Sequence, residues 1–369
     1  MKVLFISSWY PNSTNPLKGV FVKKHAAAIK KAGVEIEVLA ITVNPSKAFF
    51  EKKFYREVDE NGVVTHVIEL NSRFYKFIHV DLIMQFAYLK KYYFRNIKPS
   101  FRPDIIHSNV IFPAGILGYW LSKKEGLPHI ITEHWSKVDK FISKSLYSGQ
   151  AKKAYASAKF VTVVSSFLKN NLDKHVAPSD KIRVVPNVVN TDVFTFKEKK
   201  PSETEIKFSC VAHWTKPKRP DLIFNALNEF SKSTGKKISL NVVGEGYLLE
   251  ELKKEKWNFS INYLGNLPPQ KLSELHQASD YFLHASEIET FSIVIAEALA
   301  TGTPVLASNA GAIPELINST NGICCENGTE EWLAGLKKIT ETKFNHNEIS
   351  KGCDKFNLTE IGNKFKSLY

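Results

Sequence analysis

Cysteine is scarce in this chain of 369 residues: Cys210, Cys324, Cys325 and Cys353 lack the paired C-x-x-C spacing of a zinc site and are too few for a disulfide framework. They read as reduced interior thiols. No run approaches the ~18 consecutive apolar residues needed to cross a bilayer. The N-terminal MKVLFISSWYP holds only a short apolar run ending at Tyr10-Pro11, without the h-region and cleavage site of a secretory leader. These absences set aside a stapled secreted domain, a zinc module and a membrane-spanning protein, and they point to the cytoplasm. Negative charge is short in one half only. Residues 1–195 carry 29 Lys and Arg against 15 Asp and Glu, whereas the remainder carries 21 against 22, so the whole excess behind the net +13 lies in the first half. A one-sided field of this kind favours an anionic partner: nucleic acid, a membrane surface or an anionic substrate.

What is present is an ordinary globular composition, 43% apolar with 12% aromatic and 24% charged residues. The length suits about two domains at roughly 150 residues each. Val3 to Ile6 reads as a strand. A loop with Pro11, Pro16 and Gly19 follows, then a helix, FVKKHAAAIKKAG, that stops at Gly33, then a strand from Val34 to Ile41. This is a βαβ unit, and it predicts a parallel sheet. Runs at 104–107, 129–132, 160–164 and 182–185 continue it. After a polar linker, FKEKKPSETE at 196–205, the pattern restarts with strands at 206–211, 240–243, 261–264, 281–284 and 304–307. Two Rossmann-type sheets are expected, with ligands beyond the carboxyl ends of their strands and a cleft between them.

Residues 47–102 mix aromatics with Lys and Arg at roughly helical spacing. They read as amphipathic surface helices of the first domain. The alternative is a patch for anionic lipid. Nucleic acid fits less well, because no recognition motif accompanies the charge.

The stretch ASEIETFSIVIAEALATGTPVLASNAGAIPEL, 285–316, sets Glu289 and Glu297 eight residues apart around an apolar segment. Glu289 falls in the loop after strand 281–284. Thr290 and Ser292 flank the start of a helix over 291–300, where free N–H groups and the helix dipole favour an anion. Glu297 lies about two turns further on. The arrangement suits a nucleotide diphosphate, with phosphates at the helix start and a carboxylate on the ribose. Spacing alone leaves open that Glu297 points to solvent.

The run ETFSIVIAEALATGTPVLAS closely resembles the E-x7-E signature of glycosyltransferase family 4, retaining nucleotide-sugar enzymes of the GT-B fold. VVPNVVNTDVF (184–194), VAHWTKPKRP (211–220), LNVVGEG (240–246), INYLGNLP (261–268) and PLKGVFVKKHAAAIKKAG (16–33) are similar to family segments in the right order. The resemblance implies an α/β GT-B fold, two Rossmann-like domains with parallel sheets facing across a cleft. It implies an acceptor-binding domain over 1–195, a nucleotide-sugar domain over 196–352 and a C-terminal helix over 353–369 crossing back to the first domain. By position, Glu297 would bind the ribose, Glu289 the donor sugar, and Lys218 the diphosphate. His134, in ITEHW, would reach the sugar from the first domain. Gly19 would let backbone approach the ligand, and Gly244 would lie on the donor side.

The sequence departs from the family at three points. His213 stands where the family has arginine, with Ala212 before it in place of glycine; Arg219 is a candidate to replace the missing charge. Thr290-Phe291-Ser292 replaces Gly-Phe-Gly, and both small polar residues can cap a helix. No Asp-x-Asp pair is present to chelate a metal, so no metal or other cofactor is expected. The reading is a retaining transferase moving a sugar from a nucleotide diphosphate to an anionic, lipid-linked polysaccharide precursor, at the inner face of the membrane. A GT-B epimerase or phosphorylase, and a non-enzymatic sugar-binding protein, remain as alternatives.

Overall fold

Strands with apolar side chains on both faces exclude water on both sides and fill the centres of parallel sheets. KVLFIS at the N-terminus is of this kind and is buried along nearly its whole length. The computed structural model describes residues 1–175, 179–198, 202 and 204–369, so parts of the expected linker (199–201 and 203) lie outside the described residues. The chain forms two units, Met1–Val188 with Leu358–Tyr369, and Val189–Asn357. The division falls upstream of the polar stretch 196–205.

Among the described residues the first unit holds β1 (Lys2–Ser7), β2 (Glu35–Pro45), β3 (Glu51–Val58), β4 (Val64–Ser72), β5 (Ile105–Asn109), β6 (His129–Glu133), β7 (Phe160–Val163) and β8 (Ile182–Val184). Their order is β3-β4-β2-β1-β5-β6-β7-β8, parallel throughout except where β3 runs against β4. The strand order turns back between β1 and β5. The second unit holds β9 (Glu205–Val211), β10 (Lys237–Val243), β11 (Ser260–Gly265), β12 (Tyr281–His284), β13 (Val305–Ser308) and β14 (Gly322–Cys325), ordered β11-β10-β9-β12-β13-β14 and parallel. Its order turns back between β9 and β12.

The amphipathic-helix reading of 47–102 is corrected over its first part. Residues 51–58 form the antiparallel edge strand β3, paired from Glu51↔Asn71 to Val58↔Val64. An Asx turn makes the hairpin: Asp59 Oδ1 accepts from the N–H groups of Asn61 and Val63, and Gly62 adopts φ +70°. Helices begin only at Tyr75–Val80 and Leu82–Tyr92. No helix among the described residues is long and apolar enough to cross a membrane.

The first core is closed by the helix Leu358–Lys366 lying on Val20–Lys31. A Cβ on Gly362 would stand 2.1 Å from the Ala28 carbonyl oxygen, so only glycine allows this approach. The last residue is tied in as well. Tyr369 Oη lies 2.6 Å from His107 Nδ1, and Lys159 Nζ donates to the Tyr369 carbonyl at 2.7 Å.

Besides His66, four histidines of this unit, His25, His107, His129 and His134, are buried. Burial lowers the pKa of His25 to about 4 and of His129 to about 3. Burial, then neighbouring imidazoles, holds His107 and His134 well below the ordinary 6.5. All four are therefore neutral when folded, and the unfolded chain takes up their protons first. The stability carried by this burial is complete above pH 6.5 and is lost as pH falls through the folded values. The melting temperature is accordingly expected to fall between about pH 7 and pH 5; a flat melting temperature across that range would contradict the assignment.

Candidate functional site

In the second unit the strand order reverses between β9 and β12, the place where open parallel sheets bind ligands, and the loops that leave these two strands lie side by side. Backbone bonds zip these loops together. Arg219 N–H donates to Ala285 O at 3.1 Å and Glu287 N–H to Pro217 O at 2.9 Å, around a bridge between Lys218 and Ser286. The β12 loop is pinned from its other side: Ser286 N–H donates to Ser308 Oγ (3.0 Å), and Asn327 Nδ2 to Ser286 O (3.0 Å).

This zipper brings Lys218 and Glu289 into direct contact, with side chains only 17% and 15% exposed. His284, the last residue of β12, completes the group, its Nε2 lying 2.9 Å from Glu289 Oε1. A carboxylate only accepts, so Nε2 carries the proton. Lys218 Nζ, 3.4 Å from that nitrogen, is thus a neighbour of His284 and a donor to Glu289. Both donors meet Oε1; among the described residues none donates to Oε2. Burial alone would raise the pKa of Glu289, but Lys218 and His284 more than reverse that and lower it to about 2. Burial and the Lys218 charge lower the pKa of His284.

Of the other predicted residues, Glu297 is 7% exposed on the helix Ile293–Ala300 and does not point to solvent. Ser292 occupies the N-cap position at φ +66°, yet its hydroxyl makes no cap hydrogen bond and instead lies 3.4 Å from His284 Nε2, which corrects the capping expectation. Thr290 is half-buried. Phe291 is a core residue, its ring 5.4 Å from that of Phe356. Arg219 is already engaged by Asp221 at 2.7 to 3.1 Å, and His213 is exposed two residues past β9. Gly244 lets the loop after β9 pack closely: a Cβ there would stand 1.9 Å from Ala212 O. Among the described residues no three His, Cys, Asp or Glu side chains gather as a metal-holding group.

The first unit places Gly19 and His134 at the carboxyl end of its own sheet. The approach that Gly19 permits is to protein backbone, since a Cβ would stand 2.1 Å from Trp9 O. The His134 ring lies 4.7 Å from Phe21 and 5.3 Å from His25, with Asn187 beside it, and neither ring nitrogen meets a hydrogen-bond partner. Glu133, fully buried, holds this region. Its carboxylate accepts from the N–H groups of Ile111 (2.9 Å), His134 (2.8 Å) and Trp135 (2.8 Å) and from Tyr155 Oη (3.0 Å).

The family model for Glycosyltransferase Family 4 matches residues 19–193, and that for Glycosyl transferases group 1 matches residues 192–353. The chain belongs to glycosyltransferase family 4. It is 26% identical to an uncharacterized glycosyltransferase of Methanocaldococcus jannaschii, over 100% of this chain and 94% of that protein. It is 24% identical to TuaC, a glycosyltransferase assigned to teichuronic acid biosynthesis in Bacillus subtilis, over 95% and 91%. Among solved structures, HepE of Anabaena in complex with UDP-glucose matches with a TM-score of 0.72 at 16% identity, covering 100% of this chain and 98% of that one. The fold class of this family 4 glycosyltransferase is GT-B.

Two residues of the site escaped the sequence reading. His284 read only as the end of a strand. Gly311, in NAGAIPEL, adopts φ +59°, and a Cβ there would stand 2.2 Å from Glu289 O; the next residue, Ala312, donates its N–H to that oxygen at 2.9 Å. Gly265, at φ +61°, has only a side-chain atom 3.8 Å away. Gly265→Ala should therefore cost about 1–2 kcal/mol for the left-handed backbone. Gly311→Ala should cost more and should also lower transferase activity by moving Glu289. Equal melting temperatures for the two variants, with activity intact in both, would refute this account of the loop.

Proposed function

We propose that this glycosyltransferase takes its sugar from a nucleoside-diphosphate donor and transfers it, with retention of anomeric configuration, to a polysaccharide precursor linked to lipid. The observation that carries the reading is the Lys218–Glu289–His284 group at the turning point of the second sheet. Cleaving a sugar–diphosphate bond builds negative charge on the leaving phosphate and positive charge on the sugar ring. A preorganised cation answers the first, and a nearby carboxylate the second. Lys218 and Glu289 neutralise one another, so a diphosphate that binds here exchanges places with the carboxylate as the lysine's partner. Glu289 keeps its bond from His284, and Oε2 remains free to accept from a sugar hydroxyl. Glu297, about one turn into the helix, takes the ribose. His134, neutral and with Asn187 beside it, keeps the part of a hydroxyl partner that the family resemblance gives it. Lys218 and the helix N-terminus do the work a metal ion would do, and the departing phosphate takes the acceptor's proton. The UDP-glucose held by HepE and the polymer named for TuaC support this choice of donor class and product.

Melting curves with UDP-, GDP- and ADP-sugars in EDTA test the donor. One of them should raise the melting temperature. Lys218→Ala should abolish that shift. Glu289→Gln should keep it while lowering turnover by roughly 10²–10³, with a nucleoside diphosphate and a lengthened acceptor as products. No shift with any nucleotide sugar, full turnover in Glu289→Gln, or an altered sugar with no acceptor consumed would each overturn the reading.

The lipid-linked acceptor, and contact with the inner face of the membrane, rest on the basic first half and on exposed apolar side chains. Ile83 is 80% and Leu146 96% exposed, and Phe77 and Val80 are exposed as well. Tyr147 Oη donates to Val80 O and joins the two segments. The protein should float with phosphatidylglycerol vesicles at low salt, and Ile83→Asp with Leu146→Asp should abolish this. Absence of flotation at low salt would remove the membrane contact.

A further inference from the structure

The edge strand β3 and the helix Leu82–Tyr92 with its continuation to Ile97 enclose a groove of about 350 Å³ for which the transfer reaction has no use. Alternation along β3 turns Lys52 and Phe54 into it. Tyr88, Lys91, Tyr92 and Arg95, spaced i, i+3, i+4 and i+7, line the opposite wall. The floor is aromatic: Phe54 and Tyr92 stack at 5.8 Å and 21°, and Tyr88 lies 6.4 Å from Phe54. The rim is cationic, with Lys52 Nζ 5.8 Å from the centre of the Tyr88 ring. Lys52, Lys91 and Arg95 form no ion pair among the described residues.

Carboxylates are turned away from this rim. Alternation sends Glu51 and Glu57 to the other face of β3, where Lys53 stands opposite Glu69. Glu37, whose charge reaches Tyr92, is taken up by His66 Nε2 at 3.0 Å. Three like charges around a ring-lined hollow repel one another until an anion joins them. The ring faces carry negative potential and attract polarised C–H groups or cations. A pyranose bearing a carboxylate or phosphate meets both demands, with its C–H face on the rings and its acid on the rim. The volume lies in the range of small-ligand sites and suits one or two sugar units. A flat bilayer meets the cations without filling the hollow, and the apolar residues that protrude, Phe77, Ile83 and Leu146, are not among those lining it.

We propose that this groove binds acidic oligosaccharide, as a second glycan site on the first unit. The choice of a saccharide over other anions rests on the transferase reading above. Calorimetric titration of the full chain with size-defined oligogalacturonate tests it, beside neutral maltooligosaccharide and phosphatidylglycerol vesicles. The acidic oligosaccharide should bind, more weakly as salt rises, and at least about tenfold more tightly than the neutral one. Lys91→Glu with Arg95→Glu, and separately Tyr88→Leu, which keeps apolar volume without a ring, should each weaken it about tenfold. Both variants should keep the nucleotide-sugar melting shift, so failure here is distinguishable from failure of the donor reading. Unchanged affinity in either variant, equal binding of the neutral oligosaccharide, no binding, or binding of vesicles alone would overturn the proposal.

Discussion

Glu289 is nearly buried and charged, and the carboxyl end of the second sheet is organised around keeping it so. An ionised carboxylate away from water requires a counter-charge and hydrogen bonds. Lys218 supplies the first from the loop after β9, and His284 the second from the end of β12. Neither could arrive unless the two loops were zipped together, and Glu289 could not hold its backbone position unless Gly311 left room beside it. The strand order, the two loops and one glycine thus serve a single charge.

The first unit uses a related device. Glu133 is buried at the end of β6 and collects three backbone N–H groups and one phenol, which fixes the starts of the loops after β5 and β6. Burial outweighs these bonds and raises its pKa, the opposite outcome from Glu289, because among the described residues no cation pairs with it. The comparison separates two tasks. A carboxylate that only orders backbone needs N–H donors, whereas one kept fully ionised needs a lysine.

Much of this was legible in the sequence. Apolar runs such as KVLFIS and YFLH are strands because both of their faces are buried, and the E-x7-E segment put Glu289 in the loop after β12. What escaped depends on tertiary pairing. EKKFYREV has no buried face and therefore no periodicity to detect; it becomes a strand only because β4 lies beside it. The polar residues of β4, His66, Glu69 and Asn71, disguise a buried strand, since their partners lie far away in sequence. Phe291 looked like a site residue by position, but it packs on Phe356, and no local pattern tells these uses apart. Arg219 could be proposed as a spare cation until Asp221, two residues on, proved to hold it.

The edge position of β3 has a bearing on how the protein keeps to itself. An open strand offers unpaired backbone groups to any other extended chain, the first step towards intermolecular sheet growth. Here that strand carries Glu51, Lys52, Lys53, Arg56 and Glu57, and an incoming strand would have to desolvate these charges. At the opposite margin β8 is only three residues long and offers little to extend. The first sheet is therefore guarded against runaway stacking by charge on one flank and by brevity on the other.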